Sequence, residues 1–260
     1  MKEQCLLNKY ISLTLLCISL LIASGVSNAE DKSKDELVSS LIELFKSNDR
    51  EAIAQTVRYP LARKKPLPPI TNQNEFIERY DEVFDSDLIE KIVSSNPKTD
   101  WREMGWRGIM FKSGAIWLDI DGTIWAVTYE SELEKAKKAA IINEQKRRLH
   151  TSLSQFKKPI LEWQTDNYLI RIDDLGKNNY RYASWSIDKK TSEKPDLVLT
   201  KGKVVFEGSG GNHYYQFKNG QYIYRCFVNV IGNSQSTPGT LEVFKADVLL
   251  LKEGVKSIKM

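Results

Sequence analysis

The chain has 260 residues, of which 41% are hydrophobic and 28% are charged, and its formal net charge is +4. This is an ordinary globular composition, and the length is sufficient for one or two domains. The small positive charge argues against a nucleic-acid-binding protein, which normally concentrates many more lysines and arginines on one surface.

The N-terminal segment has the features of a secretory signal peptide. A short polar start with two lysines precedes an uninterrupted run of apolar or small residues from 11 to 23. Ser27-Asn28-Ala29 then places small residues at both key positions of a cleavage site. The apolar run is shorter than the roughly 20 residues that a membrane-spanning helix needs. We therefore predict a signal peptide over residues 1–29, cleaved after Ala29, and a periplasmic or secreted mature chain. An uncleaved anchor is the alternative.

Cleavage would leave one cysteine of the three, Cys226. The mature chain then has no intramolecular disulfide, and its stability depends on its hydrophobic core. Cys226 alternates with Tyr224 and Val228 along one face of a long β-prone run, which predicts a buried, unreactive thiol.

Residues 30–130 are predicted to form helices followed by a short curved sheet. A helix over residues 35–46 is indicated by one apolar stripe: Leu37, Leu41, Leu44 and Phe45. Asn72 and Glu75 form a capping-box pattern ahead of a further helix. Three extended runs follow at 107–111, 115–119 and 123–129. The Ser-Gly and Asp-Gly turns between them predict an antiparallel meander, with its tryptophans in the core and not on a ligand platform.

Two aspartates flank the last of these turns. Asp119 and Asp121 admit a paired-carboxylate interpretation, but aspartates before Gly122 are typical turn formers. The glycine stands at the fourth position of the segment and not at the sixth, so the spacing does not fit an EF-hand calcium loop. We predict turn residues here, and no metal or cofactor site in the chain.

The first half resembles the NTF2-like (SnoaL, cystatin-like) fold in the order of its elements. The resemblance rests on the pieces VRYPL, NEFIERYDEVF and GIMFKSGAIWLDIDG between residues 35 and 130. It implies helices packed into a strongly curved sheet with a pocket at the wide end. Some members of this fold are enzymes and many only bind ligands, so the fold does not decide the function. An enzyme or ligand binder would use Tyr59, Tyr80 and Asp81 in that pocket.

Residues 131–158 are predicted to form a basic connecting segment, helical from 131 to 153. Ser131 and Glu134 form a second capping box at its start. The segment has eight basic residues and three acids. One interpretation is a surface for lipid headgroups or an anionic wall polymer. A solvated linking helix is favoured, so membrane contact is not expected.

Residues 159–260 are predicted to form an all-β module. Short strands alternate with turn signals, including a hairpin at Lys201-Gly202 between the runs 196–200 and 203–208. A second hairpin turns at Asn219-Gly220 and leads into a long strand over 221–231. This spacing predicts an antiparallel β-sandwich or barrel.

The loop Ser209-Gly210-Gly211-Asn212, with His213 and Tyr214 at its exit, is the candidate functional site. A nucleophilic serine with His213 as base is one interpretation, but no third orienting group is identifiable. A phosphate-binding loop is disfavoured because no helix follows the glycines. A plain hairpin loop and a protein-binding tip on a stiff β scaffold are the other interpretations.

The loop, the following aromatic strand, the F-x-N-G-x-Y-x-Y turn and the final L-E-V strand resemble the small periplasmic inhibitors of invertebrate-type lysozymes. The resemblance covers residues 165–252 and implies that Ser209, Asn212, His213 and Tyr214 enter the cleft of an enzyme. Tyr214 lies one position later than the tyrosine of the inhibitors' Ser-Gly-x-x-Tyr signature, and their stabilising disulfide cannot form here.

The sequence as a whole predicts an α+β protein with an NTF2-like module followed by an antiparallel β-sandwich or barrel module. We expect a non-catalytic binder of a protein partner in the cell envelope, with no nucleic acid among its partners. An enzyme acting through the NTF2-like pocket and a structural envelope protein are the alternatives.

Overall fold

The computed structural model describes residues 32–230 and 237–258. The predicted signal peptide, residues 1–29, lies outside the described residues. From Ser33 onward the described residues belong to one compact unit. Within them, no helix combines the length and the apolar character needed to cross a lipid bilayer.

Helices fill the first part of the described chain, and strands the second. The helices are α1 (Lys34–Ser47), α2 (Arg50–Gln55), α3 (Gln73–Glu78), α4 (Tyr80–Val83), α5 (Ser86–Val93) and α6 (Glu132–Arg148). A short sheet between α5 and α6 consists of β1 (Trp101–Glu103), β2 (Ile109–Phe111), β3 (Ile116–Leu118) and β4 (Ile124–Val127). After α6 come β5 (Lys158–Gln164), β6 (Tyr168–Gly176), β7 (Asn179–Ser186), β8 (Leu197–Phe206), β9 (His213–Asn219), β10 (Tyr222–Val228), β11 (Gly239–Lys245), β12 (Val248–Gly254) and β13 (Ser257–Ile258).

The helices α1–α5 pack on one face of a four-stranded antiparallel sheet in the order β1-β2-β3-β4. Buried aromatic side chains fill the space between them: Phe45, Phe76, Tyr80, Phe84, Trp101 and Phe111. The predicted meander is confirmed, and β1 is an additional strand of three residues. Asp119 and Asp121 are turn residues as predicted, since Asp119 O accepts from Gly122 N at 3.0 Å and Asp121 Oδ1 from Thr123 N at 2.9 Å.

The tryptophans of this sheet do not all lie in the core. Trp101 is fully buried, but Trp106 is 91% exposed and Trp125 is partly exposed. Trp117 and Trp125 pack on each other with ring centroids 5.8 Å apart. The prediction that the tryptophans lie in the core was wrong for Trp106 and Trp125. Trp106 lies in a 3₁₀ turn, and Trp125 lies at an irregularity of the β3–β4 pairing. Both indoles are therefore turned outward.

α6 begins where the capping box predicts it, but only the Ser131 half of the box forms, since the Glu134 carboxylate pairs with Arg63. Ser131 Oγ accepts a hydrogen bond from Glu134 N at 3.0 Å and donates one to Glu82 O at 2.6 Å. The helix ends at Arg148, earlier than the predicted residue 153, and a 3₁₀ turn follows. Several of its basic side chains are paired with acids of the protein, among them Lys137 with Glu82.

The remaining nine strands form one antiparallel sheet in the order β12-β11-β10-β9-β8-β7-β6-β5-β13. The antiparallel prediction is confirmed, but a single curled sheet replaces the two layers of a sandwich. β12 and β13 are at opposite edges and only two residues apart, so the sheet must curl into a half-barrel. Val255 N donates to Gly239 O at 2.9 Å and Lys256 N to Gln164 O at 2.8 Å, which bridges the two edges.

The two faces of this sheet have different partners. The inner face carries the main core of the module, which includes Trp163, Tyr182, Phe217 and Cys226. On the opposite face of β6 and β7, the end of α6 and the following turn add a second apolar cluster: Leu149, Leu153, Phe156, Ala183 and Trp185. α6 therefore joins the helical half to the outside of the curled sheet.

The predicted hairpin at Lys201-Gly202 is wrong. Both runs belong to the continuous strand β8, in which Tyr180 of β7 pairs with Gly202 and Tyr182 with Leu199. Two residues of β8 thus oppose one residue of β7, which is a β-bulge. Lys201 has a φ of 60°, and its amide donates to Asn179 Oδ1 at 3.1 Å. The glycine that suggested a turn is needed for packing, because a Cβ at Gly202 would lie 2.1 Å from the buried ring of Phe217.

Gly202→Ala is expected to lower the free energy of unfolding by about 1–3 kcal/mol through overpacking against Phe217. Phe217→Leu should relieve the contact, so the double variant should lose less than the sum of the two single variants. Gly254→Ala is the control, because Gly254 also lacks a positive φ and its added Cβ would lie 3.1 Å from the end of the exposed Thr237 side chain and not inside a buried ring. Urea denaturation of the unmodified protein, the two single variants and the double variant measures this coupling. Additive losses would show that the Gly202–Phe217 contact is not the cause.

Candidate binding tip between β8 and β9

Residues 207–212 connect β8 to β9 in a compact loop. Glu207 N donates to Asn212 O at 2.8 Å and closes the base of the loop. Asn212 Oδ1 accepts from Val230 N at 2.9 Å, which fastens the loop to the segment after β10. Ser209 and Gly210 are exposed at its tip, while Gly211 and Asn212 are half-buried. Gly208 and Gly211 have φ values of 65° and 86°, a backbone region that favours glycine.

His213 stabilises the loop from its exit. Its Nδ1 lies 2.8 Å from Gly211 O, so this nitrogen carries the proton and donates to the carbonyl. The imidazole lies between two aromatic rings, with Phe206 and Tyr215 both at a centroid distance of 5.5 Å. No hydrogen bond links His213 to the Ser209 hydroxyl among the described residues. The pair therefore does not have the geometry of a nucleophile and its base.

Tyr214 lies apart from the other predicted tip residues. It follows His213 in β9, and successive side chains of a strand point to opposite faces. Its ring packs on Phe227 at 4.9 Å, and the guanidinium of Arg225 lies 5.4 Å from its centroid. The structure thus brings Ser209, Gly210, Gly211, Asn212 and His213 together and places Tyr214 on the outer face of the sheet.

The sequence did not predict two apolar side chains that lie beside the loop. Phe206 is 67% exposed at the end of β8, and Val230 is 61% exposed after β10. Val230 lies close to Gly211, where an added Cβ would come within 3.5 Å of Val230 Cγ1. The exposed Phe206 has a local signal, because it ends a strand immediately before a Gly-rich loop. The position of Val230 depends on how β10 pairs and has no such signal.

The chain matches no protein-family model, no curated protein and no solved structure.

The residues of the alternative site, Tyr59, Tyr80 and Asp81, make contacts within the helical half, and Arg50 contacts both Tyr80 and Asp81. The Phe76 ring contacts the rings of both tyrosines, at centroid distances of 6.2 Å from Tyr59 and 5.9 Å from Tyr80. Burial raises the pKa of each tyrosine to about 12, so both phenols are neutral at physiological pH. Asp81 accepts two hydrogen bonds from Arg50, at 2.7 and 3.1 Å, on the surface.

The other reactive side chains are also held in structural contacts. Cys226 is fully buried as predicted, and burial raises the pKa of its thiol well above the usual range. A thiol in this state is a poor nucleophile. In residues 32–230 and 237–258, no three His, Cys, Asp or Glu side chains are grouped as metal ligands.

Proposed function

We propose that this chain is a non-catalytic binding protein of the cell envelope that holds a protein partner with the β8–β9 loop. The observation that carries the proposal is the exposure of Phe206 and Val230 on either side of the exposed Ser209-Gly210 tip. Exposed aromatic and aliphatic side chains around a small polar loop are typical anchors of protein interfaces.

The rigidity of the loop supports the same function. Phe206 pairs with His213 across the hairpin, and the Asn212 side chain binds the backbone of Val230. A loop that is already ordered loses little conformational entropy when a partner binds, so more of its contact energy appears as affinity. The contacts of His213 with Gly211 O and two aromatic rings support a structural role for this side chain in the binding tip.

The partner class comes from the resemblance to inhibitors of invertebrate-type lysozymes. We propose a wall-degrading enzyme of this kind as the partner, with the tip of residues 209–213 and Phe206 entering its cleft. This proposal includes export of the mature chain after Ala29 and an NTF2-like form of the helical module. Because burial raises the pKa of Tyr59 and of Tyr80 to about 12, both phenols are poor general bases near neutral pH, which supports binding over base catalysis by that module.

The mature chain from Glu30 is expected to inhibit an invertebrate-type lysozyme, and Phe206→Ala should weaken inhibition about 10- to 100-fold. Tyr222→Ala is the matched control, because Tyr222 is a partly exposed aromatic residue at the opposite end of β10 from the tip. Inhibition constants from a cell-wall lysis assay measure the effect. Absence of inhibition by the unmodified chain would refute a lysozyme as the partner. An equal loss of inhibition in the Phe206 and Tyr222 variants would refute the β8–β9 loop as the binding site.

A further inference from the structure

A groove lies on the outside of the curled sheet, far in sequence from the β8–β9 loop. Its walls are the last turn of α6, the strands β5 and β6, and the loop that connects β7 to β8, and its volume is about 880 Å³. Small-molecule sites in proteins typically have volumes of about 300–1,000 Å³. The groove is thus large enough for a small ligand.

Positive charge predominates along this groove. Four of its lining residues are cationic and one is acidic: Arg148, Arg171, Lys189, Lys190 and Glu162. Lys189 is paired with Asp196, but Arg148 and Lys190 form no salt bridge with any described residue. Both side chains belong to exposed residues at the rim of the groove. They provide two charges that a bound anion can neutralise.

Arg171 forms a fixed part of the groove wall. Its side chain is 1% exposed, and it pairs with Glu162 and with Asp173, the latter at 2.8 Å. Its Nη2 also donates to Gln145 Oε1 on α6 at 3.0 Å. These contacts hold the helix and the sheet together at the groove, so the distance between its walls is set before any ligand binds.

Apolar residues from separate elements line the remainder of the groove. They are Leu149 after α6, Leu169 of β6 and the half-exposed Ile258 of β13, while the side chains of Trp163 and Ile170 at the base of the groove are buried in the inner core of the sheet. An ion as small as phosphate would leave most of this apolar surface in contact with water. A ligand with an apolar body would cover it and gain about 25 cal/mol for each Å² removed from water.

We propose that this groove binds an organic anion, in which a carboxylate or phosphate group is carried on an apolar body. The anionic group binds Arg148 and Lys190 at the rim, because arginine and lysine donate charge-assisted hydrogen bonds to both kinds of group. The apolar body lies against Leu149, Leu169 and Ile258. The groove shares no lining residue with the β8–β9 tip, so the two sites are tested independently.

Titration calorimetry of the mature chain with octanoate and with octyl phosphate tests the proposal. We expect saturable binding of one equivalent of at least one of the two amphiphiles. The amphiphile that binds more tightly shows whether the groove prefers a carboxylate or a phosphate group. The double variant Arg148→Ala, Lys190→Ala should bind it at least about tenfold more weakly, through loss of both charges. Arg147→Ala is the matched control, since Arg147 is an exposed neighbour paired with Glu144 outside the groove.

Two further ligands separate the contributions of charge and apolar contact. Octanol should bind at least about tenfold more weakly than the anion, because it leaves both cations unpaired. Inorganic phosphate should not displace the bound amphiphile at equal concentration. Absence of saturable binding, an unchanged affinity of the double variant, equal binding of octanol, or equal competition by inorganic phosphate would each overturn the proposal.

Discussion

Asp173→Ala is expected to lower the free energy of unfolding by about 3–5 kcal/mol, which is the usual effect of removing one partner from a buried ion pair. Asp173 is fully buried and accepts hydrogen bonds from Arg171 Nε at 2.8 Å and Arg181 Nη2 at 2.6 Å. Both arginines are themselves buried, so the alanine variant leaves two guanidinium groups without their shared carboxylate. The remaining bonds of Arg171 to Glu162 and of Arg181 to Leu153 O compensate only in part.

Urea denaturation followed by circular dichroism measures this loss. Asp166→Ala is the control, because Asp166 and its partner Lys256 are both largely exposed. An exposed ion pair contributes about 0–1 kcal/mol, so the control variant should remain close to the unmodified protein. An equal effect of the two substitutions would contradict the structural role of the Arg171–Asp173–Arg181 cluster. Since Arg171 is part of the groove, Asp173→Ala should also weaken binding of the organic anion there.

Arg63→Ala is expected to destabilise the protein by a similar amount, about 3–5 kcal/mol. Arg63 pairs with Glu134 through two nitrogens, and both side chains are buried. Its guanidinium also donates to Val127 O at 2.6 Å and to Tyr129 O at 3.0 Å. The substitution would leave the carboxylate of Glu134 buried in the first turn of α6 and two carbonyls without a donor. It would therefore loosen the attachment of α6 to the first sheet.

Lys64→Ala is the control for this prediction. Lys64 is the next residue along the chain and pairs with Glu130, but its side chain is mostly exposed. We expect a change within about 1 kcal/mol for this variant. Replacing Arg63 by Met and Glu134 by Leu together should recover part of the stability, because two apolar side chains leave no unpaired charge. A loss from the double variant that exceeds the loss from Arg63→Ala would show that the ion pair is not the cause.

Features that depend on neighbours in sequence were predicted well. The stripe of Leu37, Leu41 and Phe45 correctly indicated α1, and Ser131 caps α6 as its spacing with Glu134 predicts. The hairpin predicted at Asn219-Gly220 is present, shifted by one residue, since Asn219 pairs with Tyr222 and the loop is Gly220-Gln221, with Gly220 at a φ of 58°. In each case the deciding contacts are with residues a few positions away, so the sequence pattern already contains them.

Features that depend on distant residues were missed or misinterpreted. Lys201-Gly202 has the composition of a turn, but the buried ring of Phe217 and the pairing with β7 keep β8 continuous. The Arg63–Glu134 ion pair has no local sequence signal, since the two residues are 71 positions apart. Tyr214 was grouped with its sequence neighbours, whereas the alternation of side chains in β9 places it on the other face of the sheet.

The sequence alone determined the α+β order of elements, the antiparallel strands and the position of the Gly-rich loop, because local periodicity and turn residues specify them. Tertiary structure decided that the second sheet is one curled layer, that Phe206 and Val230 flank the loop, and that Arg148 and Lys190 lie at one groove. The physical reason is that burial, pairing of charges and exposure are properties of contacts between segments, and these segments meet only when the chain folds.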